Sequence, residues 1–219
     1  IDSWLRDKLN RHVVGTLLNA FPRAARRFFA LSRGELARLV CVDLEGGSYR
    51  VFRAMYQYND PAHRGDFLNR LLMESPAAKA ARNRRTIAQG ILERCVNSLP
   101  SDRPALVLAV GGGDGTLEAE VLARLARKDI FYCSIDKDEK AIEGNRRVME
   151  RLGLPGKGLV FIGDAAERHD MESVLDAARR RFSVPFEGID VAVCHGITEY
   201  VDLGSQTNDK LARLLKGLY

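Results

Sequence analysis

"LVLAVGGGDGTLEAEVLARL", Leu106 to Leu125, is the stretch on which the reading of this chain turns. Gly111, Gly112, Gly113 and Gly115 follow directly on an apolar run. So much backbone freedom marks a loop that another group approaches closely, with a strand before it and a helix after it. Outward from this loop, everything beyond Pro104 alternates. Strands are expected at 105–110, 130–136, 159–164 and 189–195, separated by the helical patterns "LEAEVLARLAR", "EKAIEGNRRVMERLG" and "MESVLDAARRRF", with a final helix after the fourth strand. These strands are continuous apolar runs, as expected where helices cover both faces of a parallel sheet. The pattern predicts a doubly wound α/β domain over residues 105–219.

Residues 1–104 read as a mostly helical N-terminal substrate or cap domain. "DSWLRDKLNRHVVGTLLNAF" carries its apolar residues at helical spacing, and Pro22 opens a second helix. A β-like run is expected from Leu39 to Leu44, followed by a Gly46-Gly47 break. Tyr49, Phe52, Tyr56 and Tyr58 form an aromatic stripe that fits either a core or a pocket. Ser75 is a good N-cap and Pro76 suits a first helical position, so a helix should run from there to about Ser98.

Composition narrows the class. With 219 residues, 46% of them apolar, the chain can bury one substantial core, or a core plus a small accessory domain. The net charge of +5 leans basic, which permits an anionic partner without requiring one. Cys41, Cys95, Cys133 and Cys194 stand far apart, without metal-binding spacing, and read as buried thiols of a reducing cytoplasm. No metal site is expected. No apolar run approaches the roughly 20 residues of a membrane span, and the protein is expected to be cytoplasmic.

Three loop types compete for the glycines. A phosphate loop requires Lys after its last glycine, and none follows here. The dinucleotide spacing G-x-G-x-x-G fails because Thr116 stands at the third glycine position. The spacing G-x-G-x-G fits Gly111, Gly113 and Gly115. Asp136 ends the second expected strand and Asp164 the third. A carboxylate in the first of these places suits two ribose hydroxyls, a role common to nucleoside-binding sites of this architecture. Each also has a plain structural alternative as a helix cap, with Asp138 an equal candidate beside Asp136.

On the glycine spacing, Asp136 and Asp164, the alternating half resembles the class I S-adenosylmethionine-dependent methyltransferases. The resemblance implies a Rossmann-like sheet of seven strands in the order 3-2-1-4-5-7-6, of which the first four are in this chain. It implies S-adenosyl-L-methionine as cofactor and S-adenosyl-L-homocysteine as product. The cofactor would lie against Gly111, Gly112, Gly113 and Gly115, with Asp136 and the adjoining Lys137 at the ribose. Asp164 and the backbone of Ala165 would meet the adenine. One position departs from the pattern: Ala109 stands where the family has an acidic residue for the cofactor's amino group. Glu118 and Glu120 are candidate substitutes, and a cofactor-free relative is a second explanation.

The segment after the fourth strand, "CHGITEYVDL", is where this family meets its substrate. His195 is the candidate base and a candidate cofactor contact, with Glu199 and Tyr200 on the same loop for substrate. Arg82, Arg84 and Arg85 offer forks for a carboxylate or phosphate of the acceptor, and Tyr58 of the aromatic stripe is a further substrate candidate; a solvated helix face with an ion pair is the structural alternative. "SPAAKAARNR", "LEAE" and "GITEYVD" are similar to segments of bacterial 3-hydroxypalmitic acid methyl ester biosynthesis proteins, which implies a fatty-acid-like acceptor. The [DN]-P-P-[YF] tetrapeptide of nucleobase-methylating enzymes is absent, so a small-molecule acceptor is expected rather than nucleic acid. An RNA methyltransferase and a non-catalytic adenosyl-binding scaffold are the alternatives. A bare fourth strand would be an apolar edge, so further sequence, a second copy or a partner chain is expected to cover it.

Overall fold

The computed structural model describes residues 27, 31–42, 49–59, 65–165 and 167–194. The chain divides into two compact units, residues 1–87 and 88–219. That boundary falls inside a helix, ahead of the Pro104 boundary expected from sequence.

The described part of the first unit is helical: α1 (Glu35–Val42), α2 (Tyr49–Tyr56), a 3-10 turn (Gln57–Asn59), α3 (Phe67–Met73) and the start of α4 (Pro76–Asn97). Leu36, Ala37, Val51, Ala54, Leu72 and Met73 form its core. The β-like run expected from Leu39 is helical as far as Val42; Asp43 and Leu44 lie outside the described residues. The physical reason is tertiary. Asn69 of α3 accepts the backbone N–H of Ala37, capping α1 from a neighbouring element. Leu36 and Ala37 are then buried on its inner face, and this outweighs the weak strand preference of Val40 and Val42. The helix from Pro76 forms as expected, with the Ser75 hydroxyl accepting from the N–H of Ala78 at 3.3 Å.

The second unit alternates β1 (Ala105–Val110), α5 (Thr116–Arg124), β2 (Ile130–Asp136), α6 (Glu139–Arg151), β3 (Gly158–Ile162), α7 (Arg168–Phe182) and β4 (Val191–Cys194). All pairings are parallel and the order is β3-β2-β1-β4, the first four places of the expected sheet. Side chains of β1 alternate between two cores. Val107 and Ala109 join Leu92 and Val96 of α4 with residues of α5 and α6 on one face. Leu106, Leu108 and Val110 pack with Met171, Val174 and Ala178 of α7 on the other. Every residue of β1 is buried, which is why its sequence is a continuous apolar run. Burial pushes the Cys133 thiol up to about 12, and this cysteine is an inert core residue; Cys95 and Cys194, expected to be buried, are instead exposed.

Candidate functional site

The carboxyl ends of β1 and β2 meet at the glycine loop, and the end of β3 joins that of β2 beside it. Gly111, Gly113 and Gly115 all take positive φ, 58°, 55° and 63°, the left-handed backbone that side chains disfavour. The loop also lies too close to its support for side chains at two positions. A Cβ on Gly112 would stand 2.5 Å from Ser134 Oγ and 2.9 Å from the Ala109 methyl. One on Gly115 would stand 2.3 Å from Asn145 Nδ2. Ser134 is there because the β1–β2 register sets it opposite Ala109. Asn145 projects from α6 and donates to the Tyr132 hydroxyl at 3.0 Å. Tyr132, Ser134 and Asn145 are fully buried and Glu118 nearly so. Burial pushes the Tyr132 hydroxyl far up, and the Glu118 charge adds to that, against the hydrogen bond from Asn145. Tyr132 therefore stays protonated and serves as a polar brace beneath the loop.

Asp136 ties the strand ends together. One carboxylate oxygen accepts from the N–H of Gly113 at 2.9 Å and the other from the N–H of Asp138 at 2.9 Å. Backbone bonds complete the joint, from Gly111 N–H to the Ile135 carbonyl and from Gly163 N–H to that of Asp136. Asp138 is the cap of α6, accepting from Lys140 N–H, so the carboxylate of Asp136 is not spent on capping. Each of its oxygens keeps a second lone pair for a ligand hydroxyl.

Asp164 follows β3, and its carboxylate lies 2.6 Å from Lys137 Nζ. Its own N–H donates to Asp170 at 2.8 Å. Capping by Asp164 of a helix beginning at Ala165 is not what forms: α7 begins at Arg168 behind Glu167. The Asp164 carbonyl accepts from Glu167 N–H at 2.8 Å.

Thus Gly111, Gly112, Gly113, Gly115, Asp136, Lys137, Asp164 and Ala165 gather along adjoining strand ends. Asp170, Ser134 and Asn145, which support them, were not singled out by the sequence reading. Only the fold brings them beneath the loop, and their spacing carries no motif. Of the two candidate substitutes for an acid at 109, Glu120 accepts from Gln89 at 2.9 Å, and Glu118 is buried beside Tyr132.

The expected substrate residues of the first unit form a cluster of their own. The Arg82 guanidinium lies over the Tyr58 ring at 4.9 Å and donates to the Met73 carbonyl at 2.8 Å. Arg85 lies over Tyr56, also at 4.9 Å. The Tyr58 hydroxyl, hydrogen-bonded to Glu74, holds that carboxyl below its ordinary value, and the Lys79 and Arg82 charges help. His195, Glu199 and Tyr200 lie outside the described residues. Among the described residues no cluster of His, Cys, Asp and Glu could hold a metal ion, and no helix is long and apolar enough to cross a membrane.

No protein-family model and no curated protein matches the chain. Solved structures do. A possible exported protein from Bordetella parapertussis aligns over 95% of this chain and 69% of its own, at 19% identity and a TM-score of 0.63. That likeness shows a shared fold. A SAM-dependent methyltransferase from Geobacter sulfurreducens, solved with S-adenosyl-L-homocysteine, aligns over 60% of this chain at 19% identity and a TM-score of 0.39. The present chain spans 43% of that protein. The CurJ carbon methyltransferase aligns over 93% of this chain and 47% of its own, at 16% identity and a TM-score of 0.48.

Proposed function

We propose that this chain belongs to an S-adenosylmethionine-dependent methyltransferase acting on a small molecule, with an oxygen or carboxyl acceptor and a fatty-acid-like acid as the favoured substrate. The observation that carries this reading is the Asp136 carboxylate. It holds the N–H of Gly113 while ending the strand beside the loop, so one acidic group fixes the loop and faces the same strand-end edge. The residues fit an adenosyl group in other respects too. The loop is a cradle that a Cβ at Gly112 or Gly115 would disrupt, and Asp164 with Ala165 offers a paired acceptor and N–H suited to an adenine edge.

When bound, the cofactor supplies an electrophilic methyl group on a sulfonium. The chain has to align the acceptor and take up its proton where the acceptor is a hydroxyl. We assign the proton to His195 and acceptor contacts to Glu199 and Tyr200 on the same segment. Arg82, held over Tyr58, and Arg85 provide fixed positive charge for an acidic acceptor.

Titration calorimetry with S-adenosyl-L-homocysteine tests the reading. Saturable one-to-one binding is expected, weakened roughly ten- to hundredfold by Asp136→Ala, the loss of charged hydrogen bonds being about 1.5–3 kcal/mol. Absence of binding of both this compound and S-adenosyl-L-methionine by the complete chain would sink the catalytic reading. Salt-dependent binding to RNA would instead favour a nucleic-acid acceptor.

A further inference from the structure

We propose that Asp114, inside the glycine loop, supplies the carboxylate that Ala109 lacks and receives the ammonium of the cofactor's amino-acid end. This rests on the adenosyl-binding reading above and assigns a residue that the loop pattern leaves open.

Ala109 is unsuited to an acidic side chain for a structural reason. Its methyl is fully buried, and the loop at Gly112 folds down over it and Ser134. A carboxylate at 109 would have to displace that contact. Asp114 lies between the positive-φ glycines Gly113 and Gly115, within the loop itself. Its side chain is nine-tenths buried, 9% exposed. One oxygen is fixed by α5, accepting from the N–H of Thr116 at 3.2 Å and from its hydroxyl at 2.8 Å. The other is buried and accepts no hydrogen bond. No described ion pair reaches Asp114 either.

A buried carboxylate oxygen without a donor is costly, because it has given up its water without a replacement. A turn that needed only to cap Thr116 would be served by Ser or Asn, with no buried negative charge. The unmatched oxygen therefore calls for a cationic donor, and an ammonium is the cation that an adenosyl-methionine ligand brings to this loop. Glu120 is engaged with Gln89 and Glu118 lies beneath the loop beside Tyr132, so Asp114 is the acidic group within the loop that fits.

The test compares two probes on wild-type protein and Asp114→Asn by calorimetry. Asparagine keeps an oxygen for Thr116 and removes the charge. S-adenosyl-L-homocysteine carries the ammonium; methylthioadenosine keeps the adenosine and thioether and lacks the amino-acid end. The substitution is expected to weaken the first roughly ten- to hundredfold and to leave the second within about twofold, the methylthioadenosine arm also reporting that the variant is folded. An equal effect on both probes, or none on either, overturns the assignment and leaves Asp114 as a turn residue only. Failure of wild-type protein to bind either probe overturns the adenosyl reading itself, and Asp114's role with it.

Discussion

Two glycines with nearly the same backbone separate conformational strain from crowding. Gly115 and Gly153 have φ of 63° and 70°, but only Gly115 is crowded: a Cβ there would lie 2.3 Å from Asn145 Nδ2, whereas nothing lies within 4 Å at Gly153. Left-handed backbone costs an alanine about 1–2 kcal/mol, and forcing the buried Asn145 aside adds about 1–3 kcal/mol. Gly153→Ala is therefore expected to destabilise by about 1–2 kcal/mol and Gly115→Ala by about 2–5 kcal/mol in denaturant unfolding. Equal losses would mean that Asn145 gives way freely and does not brace the loop. The same contrast explains what could be read from sequence at this scale. Glycine at 111, 113 and 115 and acids at 136 and 164 are legible because spacing along one chain encodes them. Asn145 and Ser134 are ordinary polar residues until the register of β2 and the packing of α6 bring them under the loop.

Elements were legible where both neighbours agree with local pattern. β1 and β2, each paired on both sides, run over 105–110 and 130–136 as read from sequence. β3, paired on one side among the described residues, stops at Ile162 opposite Asp136, the last residue of β2, short of its expected end; β4 starts at Val191, two residues after its expected start, and the expected last residue, His195, lies outside the described residues. α1 was misread because its cap comes from elsewhere. Asp66 accepts from Ser32 Oγ and Arg33 N–H, each at 2.6 Å, and caps α3 through Asn69 N–H at 3.0 Å; Asn69 in turn caps α1. These bonds, the one from Ser32 foremost, hold the Asp66 carboxyl below its ordinary 3.8. A lowered folded value stabilises above about 3.8 and is lost as pH falls through the folded value. Asp66→Ala should thus cost about 1–2 kcal/mol at neutral pH, read as faster hydrogen exchange in α1 and α3. Below the folded value the charge-dependent part of that difference should vanish; a difference unchanged down to acid pH would show that the carboxylate charge is irrelevant to the cap.

At the scale of the whole molecule, the site joins three strand ends that are distant in sequence. Asp136 alone receives the amides of Gly113 and Asp138, and backbone bonds connect Gly111 to Ile135 and Gly163 to Asp136. A ligand seated across this edge would have to bind the folded unit and not the unfolded chain, because no single segment carries the site. Linkage then requires the unfolding free energy to climb by about 1.4 kcal/mol for each tenfold rise in S-adenosyl-L-homocysteine beyond its Kd. Locally, exchange of the Gly113 and Asp138 amides should slow when ligand is added, since opening the loop would have to break the ligand contacts as well as the Asp136 bonds. The amides of Ser98 and Gly153, which close turns at the ends of α4 and α6, open independently of that edge and should exchange at unchanged rates. Stabilisation that saturates at low ligand concentration, or slowing spread evenly over all four amides, would place the ligand somewhere other than on these strand ends.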